Sequence, residues 1–264
     1  KLMFQLTLIM LIFKLGWRRY KKLALEKTPK VKTIFHDEYF RHDILKSLNN
    51  NDCVGIELGV AGGNFSKRMV KSGKFKKFFG IDLYEDHHNT KEYIAALKLI
   101  GLNSNYTLLR MSFDEAISLF SDSYFDFIYF DGYAHTGEEG GKNFSDWFCK
   151  LKVGGIFCGD DYHDDWPLVK WGVNNIVSQL NCDLNVTGKT EDTHLNKYPS
   201  WFFKKESEKT FNNDPDLLNL GLQIRKATKN KGKNITLTQD DIVKLFEEIK
   251  LKNPQLAMRL QKIL

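Results

Sequence analysis

From residue 53 onward, short apolar β-rich runs alternate with segments long enough to be helices, and no other feature narrows the fold as much. The clearest runs are Cys53–Leu58 (CVGIEL), Lys77–Leu83 (KFFGIDL), Tyr106–Arg110 (YTLLR), Phe125–Phe130 (FDFIYF) and Gly155–Gly159 (GIFCG). Leu184–Thr187 and Trp201–Lys204 are weaker candidates that bring the expected sheet to seven strands. Helix-like stretches fall near 64–72, 90–100, 113–120, 138–151 and 167–180. Apolar strands separated by helix-length spacers build βαβ units, so the spacing predicts a doubly wound, mostly parallel α/β sheet covered on both faces. Ligands of such sheets sit beyond the carboxyl ends of the strands.

Charge is segregated along the chain. Residues 1–34 carry +8, residues 35–203 carry −7, and residues 204–264 carry +5. An acidic centre argues against nucleic acid as a partner and suits a cation or a small molecule. The four cysteines form no CxxC pair and no zinc-finger spacing, so neither a disulfide scaffold nor a structural zinc site is expected, and a reducing, cytoplasmic setting fits. Three parts follow: an apolar/basic arm (1–34), an α/β domain (35–205) and a basic helical tail (206–264). The sequence begins at Lys1 rather than Met, as a chain with residues upstream would.

In the arm, the apolar run Leu2–Phe13 is followed by Lys14, Arg18, Arg19, Lys21 and Lys22. It is shorter than the roughly 20 residues of a spanning helix. A membrane-surface helix over residues 1–22 and a helix docked on the domain or on a second copy are both open. In the tail, Thr238-Gln-Asp-Asp predicts a helix start, with Ile242, Leu245, Phe246 and Ile249 as its apolar stripe.

The first strand runs into Glu57-Leu-Gly-Val-Ala-Gly-Gly63, a turn of small residues that lets the backbone approach a ligand and leaves helix N–H groups exposed. Asp82 ends the next strand, where a carboxylate can accept both hydroxyls of a ribose. The turn is not GxGxxG and has no Walker lysine, which disfavours a nicotinamide dinucleotide or a nucleoside triphosphate. Asp131 ends the fourth strand, and Asp160 and Asp161 end the fifth. Three carboxylates on neighbouring strand ends repel unless a cation or protons intervene, and hard oxygen donors suit Mg²⁺. The plain alternative is that each Asp caps a turn or a helix. His135 and His163 follow these aspartates closely and could take a proton from a hydroxyl. His87 and His88 are expected in solvent.

ELGVAGG (57–63), GIDLY (80–84), DFIYFDGYAH (126–135) and LKVGGIFCGDDYH (151–163) together resemble the class I S-adenosylmethionine-dependent methyltransferases. The last two are similar to methyltransferase domain family 24 and to metal-assisted O-methyltransferases of sugars and catechols. The resemblance covers residues 35–205 and implies a Rossmann-like fold with S-adenosyl-L-methionine as cofactor. It implies cofactor contacts at Glu57, Gly59, Ala61, Gly63, Asp82, Ser112 and Asp131. Ser112 is equally a helix N-cap, since Ser112-Phe-Asp-Glu115 fits a capping box. The resemblance further implies Mg²⁺ on Asp131, Asp160 and Asp161, proton transfer through Asp131, His135 or His163, and a small-molecule hydroxyl as acceptor. The alternative is a methyltransferase-like domain without catalysis, used for assembly; self-association is open in either case.

Overall fold

The computed structural model describes residues 20–85, 88–132, 141–191 and 197–229, and the helical positions 247, 250, 251, 254, 255 and 258. The chain divides into two compact units, Lys1–Ile224 and Arg225–Leu264. The expected helix start at Thr238 lies outside the described residues.

The first unit is built on an eight-stranded sheet: β1 (Thr33–His36), β2 (Cys53–Leu58), β3 (Phe75–Asp82), β4 (Tyr106–Arg110), β5 (Phe125–Phe130), β6 (Leu151–Gly159), β7 (Leu184–Thr187) and β8 (Trp201–Lys204). Their order is β1-β7-β8-β6-β5-β2-β3-β4. All pairings are parallel except those of β8 with β6 and with β7. This is the doubly wound, mostly parallel sheet that the strand spacing predicts, with the Rossmann-like architecture that the resemblance implies. It has eight strands rather than seven. The additional strand is β1, which pairs with β7 from Thr33↔Leu184 to His36↔Thr187. A four-residue edge strand with no fully buried side chain has no apolar run to announce it. The sheet therefore starts two residues inside the stretch assigned to the arm.

Helices cover both faces. One face carries α4 (Phe113–Ala116), α5 (Lys142–Phe148) and α6 (Pro167–Leu180), whose Phe144, Trp147, Phe148, Val173 and Ile176 pack on Ile128, Phe130 and Phe157. The other carries a 3-10 helix (Arg41–Ser47), α2 (Asn64–Lys71) and α3 (Thr90–Ala96), which continues as a π-helical turn. There Ile44, Leu45, Phe65, Met69 and Ile100 pack on Phe127 and Tyr129. Alternate residues of β5 thus feed opposite cores, as the two-residue period of a strand requires.

Residues 20–27 form a helix, α1, whose Ala24 is fully buried against Leu168 and Trp171 of α6 and against Leu217 and Leu220 of α7 (Pro215–Lys229). Lys21 pairs with Asp165 at 2.7 Å. The end of the arm thus docks on the domain; the apolar run Leu2–Phe13, on which the membrane-surface and docked readings turn, lies outside the described residues. Asp214 caps α7 by accepting from the N–H of Asp216 at 2.9 Å, with Pro215 pre-set for the first turn. Among the described residues no helix is long and apolar enough to cross a membrane.

Candidate active site

The turn after β2 is held rigidly from below. Gly59 has φ +100°, and a Cβ there would lie 1.9 Å from the carbonyl oxygen of Asp131, so only glycine lets the β2 and β5 strand ends come this close. Ala61 also has positive φ, at 46°, and Gly63 at 82° is the N-cap of α2 with no side chain over the first N–H groups. Asp82 is 4% exposed, and its Oδ2 accepts the N–H groups of Val60 and Ala61, each at 2.9 Å. Its Oδ1 accepts from the N–H of Tyr84 at 3.1 Å, and His88 Nδ1 lies 3.0 Å from Oδ2. Against its burial, the hydrogen bonds from His88, Ala61 and Val60 keep this carboxyl below the usual range. The expected ribose acceptor is thus also the brace of the small-residue turn. His88 belongs to that brace rather than to solvent; His87 lies outside the described residues.

Beneath the turn, Glu57 is 1% exposed and accepts a hydrogen bond from the Ser66 hydroxyl, which lies 2.9 Å from the Tyr106 hydroxyl. Burial, reinforced by the nearby Asp131, pushes the Glu57 carboxyl well up. Gly62 has open space above it: a Cβ there would meet only Asn64 Nδ2, at 3.9 Å. Bare backbone over a braced turn, next to an uncapped helix start, fits the polar end of S-adenosyl-L-methionine. Ser112 forms the capping box: its Oγ accepts from the N–H of Glu115 at 3.3 Å, while its own N–H donates to Glu115 Oε2 at 2.9 Å.

The carboxylate cluster differs from the expectation in one decisive respect. Arg41, from the 3-10 helix before β2, reaches under the strand ends and donates through one guanidinium nitrogen to Asp131 at 2.9 Å and to Asp160 at 3.4 Å. It is 5% exposed, and its carbon Cζ sits 4.9 Å above the Phe65 ring. Burial alone would favour neutral arginine, yet the surrounding acids keep it firmly charged. The cation that the cluster requires is therefore supplied by the chain. Asp160 spends its other oxygen on the Ser200 hydroxyl at 3.0 Å, and Ser200 Oγ lies 2.9 Å from the Tyr129 hydroxyl. Among the described residues no three His, Cys, Asp or Glu side chains converge as a metal site. As arranged, Asp131 and Asp160 do not fit the expected Mg²⁺, because oxygens that would face the ion face Arg41 and Ser200.

Burial and the charge on Asp131 raise the Asp161 carboxyl to about 7, with Arg41 opposing the shift. Asp161 also holds φ 60°, an uncommon conformation for a residue with a side chain. Burial likewise raises the Asp160 carboxyl well above the usual range. His163 is half-exposed; its Nδ1 accepts from the N–H of Asp165 at 3.1 Å, and its ring stacks on Tyr198. Its side-chain contacts lie in its own loop and on that tyrosine. His135 lies outside the described residues. Arg41 was the site residue that sequence reasoning missed: its partners lie 90 and 119 positions away.

Residues 56–162 match the family model for the methyltransferase domain, Methyltransf_24. No curated protein sequence matches the chain significantly. Among solved structures, the chain is similar to an S-adenosylmethionine-dependent methyltransferase from Mesorhizobium loti, 22% identical, covering 41% of this chain and 46% of that one at TM-score 0.34. It is also similar to spermidine synthase from Thermotoga maritima, 13% identical, covering 71% and 76% at TM-score 0.46. The chain spans about half the length of the first methyltransferase structures that it matches. The family match runs from the buried Glu57 through the braced turn to the Arg41-bound carboxylates, so residues 56–162 carry the pattern of a methyltransferase domain.

Proposed function

We propose that the protein transfers the methyl group of S-adenosyl-L-methionine to a hydroxyl oxygen of a small-molecule acceptor. The observation that carries the reading is the adjacency of two devices at the strand ends. One is a braced small-residue turn fit for the cofactor; the other is a buried Arg–carboxylate cluster within reach of it through the Gly59–Asp131 contact. When bound, the cofactor supplies an electrophilic methyl carbon on a sulfonium. The acceptor oxygen forms a bond to that carbon as the carbon–sulfur bond breaks, its electron pair staying on sulfur, and the hydroxyl proton passes to a base. Glu57, Gly59, Ala61, Gly63 and Asp82 hold the methionine and ribose ends, and Ser112 caps α4 beside the cleft. Asp131 orients the acceptor hydroxyl while Arg41 fixes that carboxylate in place. Asp161, with its carboxyl near neutrality, takes the proton. A divalent ion enters only by displacing Arg41, so turnover in this reading survives EDTA.

The cofactor half is tested by calorimetric titration with S-adenosylmethionine and S-adenosylhomocysteine. Both should bind, and Asp82→Ala should weaken each by about 1–3 kcal/mol, the scale of lost charge-assisted hydrogen bonds. Unchanged affinity in a folded variant refutes the assignment. The chemical half is tested by pH. Because Asp161 accepts a proton only when ionised, kcat/KM should rise with pH and level off above about 7. Asp161→Asn should lower kcat by about 10²–10⁴-fold and remove that limb of the profile. A rate that keeps the same profile without this carboxylate assigns the base elsewhere.

A further inference from the structure

The 3-10 helix that delivers Arg41 inward forms, with α2, one wall of a second feature on its outward side. Here lies an open cleft of about 1120 Å³, lined by Arg41, Lys46, Lys67, Arg68, Lys71 and Lys74. Its acidic lining, Asp43 and Glu191, is already engaged. Lys46 lies 2.8 Å from Asp43, and Arg68 is ion-paired with Glu191. Among the described residues no carboxylate pairs with Lys67, Lys71 or Lys74, though the region 35–203 around them carries −7. Lys67 and Lys71 stand one turn apart on α2, a like-charge spacing that costs the helix rather than helping it. At the inner end, the Nε of Arg41 is buried without a hydrogen-bond partner.

We propose that this cleft binds a phosphate- or pyrophosphate-bearing group of the methyl acceptor. Three ammonium groups without a carboxylate partner, of which Lys74 also reaches the Leu48 carbonyl at 3.5 Å, surround one hollow and suit phosphate oxygens, for which lysine is a compact point-charge ligand. The volume slightly exceeds that of an ordinary small-ligand pocket, so there is room for the phosphate together with the moiety it carries. Arg41 links the two places: it lines the cleft and also touches Asp131, where the acceptor hydroxyl is held. The identification of the ligand as the acceptor rests on the methyl-transfer reading; the anion site itself does not.

The test titrates the full chain with inorganic pyrophosphate at low salt, and in parallel with S-adenosylhomocysteine. Pyrophosphate should bind, and K67Q/K71Q/K74Q should bind it at least about ten-fold more weakly, while Lys98→Gln, in the π-helical turn after α3 and outside the cleft's lining, is unchanged. Binding should also weaken as salt rises. No pyrophosphate binding, or equal binding by the triple variant, overturns the proposal, and S-adenosylhomocysteine binding in the same sample leaves the methyltransferase reading standing. The converse, pyrophosphate bound and S-adenosylhomocysteine not, keeps the anion site and removes the reading on which the acceptor rests. A nucleoside diphosphate and phosphatidylcholine vesicles with and without phosphatidic acid then separate the sources. Triple-variant-sensitive binding to the first assigns a soluble phosphorylated acceptor, and to the second a lipid headgroup; binding of either that ignores the three lysines overturns the site.

Discussion

Replacing Arg41 with Met should lower the stability of the protein by about 3–5 kcal/mol at pH 8, the cost of leaving buried carboxylates without their counter-charge. Met keeps the length and the apolar stem that lies over Phe65, so the loss reports the charge rather than a cavity. The sign of its pH dependence follows from the acids left behind. The Asp160 and Asp161 carboxyls are already raised in the folded protein, and removing the cation raises them further. An acid with a raised folded pKa contributes stability that is complete below its unfolded pKa, near 4, and is lost as pH climbs through the folded value. The deficit of the variant should therefore shrink between pH 8 and pH 5. Urea unfolding at the two pH values measures this, and an equal deficit at both would reduce Arg41 to a packing residue.

Gly59→Ala should cost about 3–5 kcal/mol, combining backbone strain at positive φ with a Cβ forced into a neighbouring carbonyl. The methyl would stand 1.9 Å from the oxygen of Asp131 and 2.9 Å from the Cα of Gly132, both backbone atoms that retreat only if the β2 and β5 ends separate. That separation would also move Asp131 relative to the turn, so cofactor binding falls with stability. Gly62→Ala, three residues on, has its nearest neighbour at 3.9 Å and should stay within about 0.5 kcal/mol of the parent. Thermal unfolding of the pair checks the contrast, and similar melting temperatures would mean the close approach at Gly59 is not tight.

These residues also show what could be read from the chain alone. β2, β4, β5, β7 and β8 occur at the bounds their apolar runs suggested; for the central β2 and β5 the reason is that a strand buried on both faces must be apolar. β3 runs Phe75–Asp82 rather than Lys77–Leu83, and β6 starts at Leu151 rather than Gly155; Lys76 in one and Lys152 and Gly154 in the other interrupt the apolar pattern. α7 has no strong apolar run to announce it: among its described side chains Leu217 and Leu220 form the buried stripe of an otherwise polar stretch.

The sequence by itself determined the parallel α/β sheet, the small-residue turn, and the arrival of Asp82, Asp131, Asp160 and Asp161 at strand ends. Each of these follows from local periodicity and from the rule that parallel strands end on one edge. Only the tertiary structure decided what those carboxylates face. Asp82 turned toward the backbone of its own turn and toward His88, and Asp131 and Asp160 found Arg41 in place of an ion. Repulsion among the acids was predictable from their positions, and so was the need for a cation. The identity of that cation was not: a guanidinium brought in from a 3-10 helix 90 residues upstream leaves no mark on the local sequence around either partner.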